Sequence, residues 1–192
     1  MSDDHASTDW PTNRASDVRI YDPDVSILLA GRWEVLDRLY EGQWMHVGEP
    51  AYDNYLLRQL NLAIQVLSSN GAKVLLLTTP CFALQEQPDG STWPFDDPAR
   101  VNRFNQLVRQ AAAQHPGVAS VGDLHAQICP TGTFSPTVNG VVVRSSDGIH
   151  ISEAGGQYAA DRLQQMVAEL GSAHRETEAQ NTVANQAQAP PA

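Results

Sequence analysis

Asp147 and His150 stand three residues apart in "RSSDGIHISEAGGQYAADRL" (residues 144–163), just ahead of an amphipathic segment. An ester hydrolase that attacks with a hydroxyl needs a His to take its proton and an acid to hold the imidazole in the right tautomer. Asp-x-x-His in one turn supplies both, because the carboxylate accepts from one ring nitrogen while the other faces the substrate. Spacing alone equally allows a plain reading: Asp147-Gly148 is a turn, and His150 is a partly buried residue before a helix cap. The pair also raises the question of which hydroxyl it would serve.

A second group is "GRWE" (residues 31–34), directly after an apolar run. Gly31 could offer a backbone N–H to an oxyanion, with Arg32, Trp33 and Glu34 shaping the pocket. The plain alternative is a strand-end glycine with a Trp folded onto the core. Trp44 and His46 in "EGQWMHVGEP", with Trp93 in an acidic loop, could form a carbohydrate-stacking rim or simply anchor loops. His5, His115, His125 and His174 fall in tails, a helix end or a strand-end loop and are not expected to be catalytic. No pair of His or Cys reads as ligand spacing and the acids are scattered, so no metal is expected. No Gly-rich run links a strand to a helix, so a phosphate-cradling loop is absent and no cofactor is expected. Cys81 and Cys129 are too few for a disulfide framework; one disulfide and two free thiols both stay open.

The chain has 192 residues, a formal charge of −10, 42% hydrophobic and 18% charged residues. That length fits one domain plus tails, and a globular part of about 150 residues buries roughly 70% of its unfolded surface. The negative charge repels nucleic acid and anionic membranes, so neither is an expected partner. There is no basic start followed by an apolar run, and no apolar stretch approaches a membrane span. The expectation is a soluble chain, cytoplasmic as written.

These residues need elements to position them. Residues 1–20 are polar and without sustained pattern. Residues 25–30 form a short apolar run bounded by Pro23 and Gly31, as in a buried strand of a parallel sheet. Leu56, Leu57, Leu60, Ala63, Ile64 and Leu67 then recur at helical spacing, with Asp53 as a cap and Gly71 at the end. Residues 73–79 read as a second buried strand, stopped by Pro80. Asp97-Pro98 opens a helix with its stripe at Val101, Phe104, Leu107, Val108 and Ala111. Residues 118–124 read as a third strand, and Asn139-Gly140 as the turn of a small hairpin. Ser152 caps a last helix expected over residues 153–170, and residues 172–192 read as a disordered polar tail. Strands alternating with helices imply an α/β fold with a parallel sheet covered on both faces, whose sites gather at strand carboxyl ends. The domain is expected over residues 21–171.

"PDVSILLAGRWEVLDRLYEGQWMHVGEPAYDNYL", "GAKVLLLTTP", "DDPARVNRFNQLVRQ", "CPTG" and "DGIHISEAGGQYAADRL", in that order, resemble an SGNH (GDSL-type) hydrolase domain over roughly residues 7–170. Most similar are the actinobacterial domains fused to the C-terminus of membrane acyltransferase-3 proteins. The resemblance implies a flavodoxin-like three-layer α/β/α fold and ester chemistry on acyl groups, typically O-acetyl groups of cell-envelope sugars. It implies that Asp147 and His150 are the triad acid and base and that Gly31 marks the oxyanion block. Trp33 stands where many relatives have an oxyanion Asn. Intact relatives are extracytoplasmic, and a membrane acyltransferase is the partner they suggest.

The departure from the family lies at the start. Relatives begin with a strand ending in Gly-Asp-Ser, whose Ser is the nucleophile, followed by a second strand. Residues 1–21 read as neither, and no Gly-Asp-Ser occurs in the chain. In the family's sheet order, 2-1-3-4-5, the strand at residues 25–30 then becomes an unpaired edge, a feature natural proteins avoid. Where relatives often carry a Cys, Ser7 stands here, so Cys129 lacks its usual partner and Cys81 could substitute if geometry allows. A truncated start, with a missing N-terminal segment, and a degenerate non-catalytic binding or interaction module both fit. Ser7, Ser26 or Ser145 would have to reach His150 to rescue the chemistry, and none sits in a strand-to-helix elbow. The expected function is an SGNH-type esterase or O-acyltransferase domain for acyl esters of carbohydrates, impaired for want of its nucleophile.

Overall fold

A computed structural model describes residues 9–84 and 86–187. A parallel sheet of three strands, β1 (Val25–Leu29), β4 (Lys73–Leu77) and β5 (Ala119–Gly122), runs in the order β1-β4-β5. The central strand has no polar residue after Lys73, and its side chains divide between two cores. Val74 and Leu76 face one layer and Leu75 and Leu77 the other, all buried. This is the two-sided burial that a continuous apolar strand requires.

On one face lie α2 (Pro50–Leu67) and α3 (Pro98–Gln114), which bring Leu56, Leu60, Ile64, Val101, Phe104, Leu107 and Val108 to the sheet. On the other lie the short α4 (Leu124–Ile128) and the long α5 (Glu153–Ala187), with Leu124, Ile128, Ala159 and Leu163. The architecture is therefore three-layer α/β/α. Asp97 caps α3 by accepting from the Ala99 N–H at 2.9 Å, and Ser152 caps α5 by accepting from the Gly155 N–H at 2.9 Å. Asn139 and Gly140, at φ 48° and 80°, turn the hairpin of β6 (Thr137–Val138) and β7 (Val141–Val142), as a two-residue loop of this composition should.

Several expectations need correction. Residues 10–21 of the N-terminal segment are a helix, α1 (Trp10–Tyr21), although Val18 is its one buried residue. Pro11 pre-sets the first turn and Arg14 pairs with Asp17 at 2.8 Å, so local terms and contact with α2 replace a hydrophobic stripe. Helix α2 begins at Pro50, ahead of Asp53. The Asp53 carboxylate accepts instead from the Gly48 N–H and from Arg103, each at 2.8 Å. A further hairpin, β2 (Arg38–Tyr40) and β3 (Gln43–Met45), turns on Glu41-Gly42.

The polar tail expected to be disordered from residue 172 is helical to Ala187. Gly171 does not end α5, because the next turn is docked. His174 is 8% exposed, and Arg175 donates to Asp24, just before β1, at 2.5 Å. Residues 188–192 and the start of the chain, with His5 and Ser7, lie outside the described residues.

Among the described residues, strand β1 is an edge. Val25 packs against the α5 layer, but Ile27 and Leu29, on the same side of the strand, are 51% and 47% exposed. An apolar edge strand is thus left open on the α5 face.

Candidate functional site

The Asp147–His150 loop is closed at its base by a bridge between Arg144 and Ile151 and by the Ser145 N–H donating to the His150 carbonyl at 2.9 Å. Its tip turns at Gly148, φ 70°, whose N–H donates to Ser145 O at 3.1 Å. Asp147 divides its two oxygens. Oδ1 accepts the N–H groups of Ile149 (2.9 Å) and His150 (3.0 Å), and Oδ2 accepts from His150 Nδ1 at 2.5 Å. One carboxylate therefore holds both the turn and the imidazole orientation. The ring bond first, then the two backbone donors, keep the Asp147 carboxyl well below the usual carboxylate range. His150 exposes 77% of its side chain, and its Nε2 has no partner among the described residues. The result is an oriented imidazole with a free nitrogen at the molecular surface.

The loop is seated on the segment after β4. Ala83 donates its N–H to Gly148 O at 3.1 Å, and a Cβ on Gly148 would meet the Ala83 carbonyl at 1.7 Å. Arg144 lies behind the loop, 3% exposed, donating to Ile149 O at 2.9 Å and to Cys81 O. Burial lowers its guanidinium pKa to about 10, against the opposing pull of Asp147.

Further along the same rim, Thr79 donates to Ala30 O, and its side chain fills the space where a Gly31 Cβ would lie, 2.1 Å away. Asn105, buried on α3, clamps the Thr79 backbone with its amide, accepting at 2.7 Å and donating at 2.9 Å. The segments following β1 and β4 and the dyad loop therefore meet at the carboxyl end of the sheet. Asn105, Thr79 and Arg144 are the positioning residues that periodicity does not reveal, since each acts through a partner distant in sequence.

The other candidates distribute unevenly. The Gly31 N–H is occupied: it donates to the Glu34 carboxylate at 2.6 Å, so in this conformation neither residue is free for an oxyanion. Arg32 lies with its guanidinium 4.2 Å from the Phe95 ring centroid and 5.8 Å from that of Phe82. Burial lowers its pKa, opposed by Asp96, and its Nε and Nη1 have no hydrogen-bond partner among the described residues.

Trp33 is 66% exposed, with the Arg38 guanidinium 5.7 Å from its ring. Trp33 and Glu34 line a cleft of ≈ 550 Å³ with Trp10, Tyr40, Tyr52 and Tyr55, under the β1 edge. His46, whose Nδ1 pairs with Val47 O at 2.8 Å, lines a second cleft with Phe82, Ala83, Trp93 and Phe134. Trp44, 73% exposed on β3, lines neither. Ala83 joins the second cleft to the dyad loop, so of the aromatic-rim candidates His46 and Trp93 share the cleft that the dyad loop borders.

No described hydroxyl is bonded to the His150 ring. Ser26 donates to Leu67 O at 3.0 Å, below the opposite end of the strand, and Ser145 contributes its backbone to the turn. Cys81 and Cys129 are joined as a disulfide with Cα atoms 6.1 Å apart, which answers the question the two cysteines posed. His125, on α4, sits beside them, its Nδ1 paired with Thr79 O at 2.9 Å. The spacing of His and Cys in the sequence does not point to this meeting, because Cys81 reaches it from another strand end. Among the described residues no helix is long and apolar enough to cross a membrane.

The model of the DUF459 family, described as a protein of unknown function, matches residues 4–166, and the chain belongs to that family. The family is SGNH-hydrolase-like, in keeping with the α/β/α fold. No curated protein matches the chain.

Proposed function

We propose that this DUF459 chain carries the acid–base part of an SGNH-type esterase or O-acyltransferase site for acyl, chiefly acetyl, esters of carbohydrates or cell-envelope glycans. The observation that carries the reading is the Asp147–His150 pair: a 2.5 Å hydrogen bond, an acid tied to two backbone donors, and an unpartnered Nε2 at a strand-end rim. In this reading Asp147 holds Nδ1 protonated, and Nε2 takes the proton of an attacking hydroxyl and returns it to the leaving group. Water or a sugar hydroxyl accepts the acyl group. The aromatic cleft with His46, Phe82 and Trp93 is the candidate sugar surface. A membrane acyltransferase of the kind fused to similar domains is the proposed partner, and the work then lies outside the cytoplasm.

The described residues place no hydroxyl on His150, so the chain alone should turn over p-nitrophenyl acetate orders of magnitude more slowly than a complete triad. Its small His-dependent component should vanish in His150→Ala. Turnover at triad-like rates, lost in that variant, would show that a nucleophile does reach the dyad. A second reading, a non-catalytic interaction module, is favoured by the open apolar edge of β1 and by the Gly31 N–H committed to Glu34. NMR of the His150 imidazole during titration with an O-acetylated oligosaccharide separates the two. Shifts at His150 and Trp93 support the esterase reading, and a silent dyad supports the module.

A further inference from the structure

Three soft or borderline donors meet behind the rim. One ligand atom each from Cys81, His125 and Cys129 lie within 4.8 Å of one another, and both cysteines are 2% exposed. Donors sharing one ion at roughly 2.0–2.3 Å cannot be more than about 4.6 Å apart, so the cluster is at coordination range after a small adjustment. It draws on two adjacent strands, Cys81 from the segment after β4 and His125 and Cys129 from one turn at α4 after β5.

The groups around it suit a metal thiolate. His125 Nδ1 faces the Thr79 carbonyl at 2.9 Å, which holds that nitrogen protonated and leaves a lone pair on Nε2. The Cys81 N–H points at Cys129 Sγ, 2.8 Å away, where it would stabilise a thiolate. Arg144 bonds the Cys81 carbonyl and adds positive potential. Two thiolates around a divalent ion sum to zero charge, so the filled site buries no net charge, whereas bare thiolates there would be costly.

We propose that the reduced chain binds one thiophilic divalent cation, of which zinc is the probe, through Cys81, Cys129 and His125, and that the disulfide is the metal-free, oxidised state of the same site. A phosphine gives the disulfide two electrons and leaves as its oxide, with water supplying that oxygen and the two protons. A thiol reductant gives two electrons and two protons and leaves as its own disulfide; either route yields two thiols. The cation then replaces those two thiol protons, which pass to solvent, while neutral His125 supplies its lone pair and no further redox change occurs. Three protein donors leave a fourth position for water.

The full chain, reduced anaerobically with a water-soluble phosphine, should bind one equivalent of Co²⁺ with a thiolate-to-metal charge-transfer band, and Zn²⁺ should displace it. The oxidised chain should show no band. Cys129→Ser and Cys81→Ser should abolish it, and His125→Ala should weaken Zn²⁺ binding by about 10-fold or more. Binding should tighten as pH rises, because protons are released. Absence of the band in reduced wild-type chain that circular dichroism shows to be folded overturns the proposal without recourse to any variant. An affinity unchanged in His125→Ala removes that residue from the ligand set and overturns the three-donor site.

Discussion

At Asp147 a single carboxylate performs two tasks, and its protonation should undo both. Its folded-state pKa is depressed, mainly by the His150 ring bond and then by the two N–H donors. The stability it contributes is therefore present above the unfolded aspartate value of about 3.9 and is lost as pH falls through the lower folded value. Carbon-detected NMR of this carboxyl should show it ionised at a pH where ordinary aspartates are half protonated; titration at the ordinary value would mean that the dyad bond is not formed in solution. Gly148 is the second residue on which the loop depends. It combines φ 70° with an Ala83 carbonyl 1.7 Å from any added Cβ. Gly148→Ala should cost about 1–3 kcal/mol in a denaturation midpoint and release the Asp147–His150 bond. A variant of unchanged stability would show that the loop does not rest on Ala83.

Elements differ in how openly the chain announces them. The stripes of α2 and α3 and the apolar run of β4 are written in local periodicity, because each must hide one face or both from water. Helix α5 is legible only to Leu170. Its extension to Ala187 has no apolar stripe, and its anchor is a turn away in sequence but a domain away in contact: Arg175 to Asp24, 2.5 Å, with His174 buried beside them. Both partners of the ion pair are substantially exposed, so Arg175→Ala should lower global stability by less than about 1 kcal/mol. Hydrogen exchange over residues 172–184 should nevertheless accelerate while residues 153–170 stay protected. Uniform exchange along α5 would mean that the helix holds itself without the anchor.

Across the whole molecule the open flank of β1 is the feature that should govern behaviour in solution. A strand with Ile27 and Leu29 about half exposed, and with one backbone edge unpaired among the described residues, is a template for another strand. Sedimentation should show concentration-dependent self-association, reduced in Ile27→Lys/Leu29→Lys, where charge on the edge opposes pairing. A strictly monomeric wild type would count against an open edge.

The α/β alternation, the helix caps, the Asn139-Gly140 turn and the candidacy of Asp147 and His150 all follow from local chemistry: side-chain periods of two and 3.6, capping groups, and two reactive residues within one loop. What the chain order could not convey is who pairs with whom across it. Gly31 carries the right backbone group for an oxyanion, yet folding gives its N–H to Glu34. His125 looks idle in sequence, yet the adjacency of β4 and β5 carries it to two cysteines that lie 48 residues apart. Asn105 looks like a polar interruption of α3 until Thr79 arrives beneath it. Each of these outcomes depends on strand order and on the closure of long loops, and neither leaves a period in the sequence.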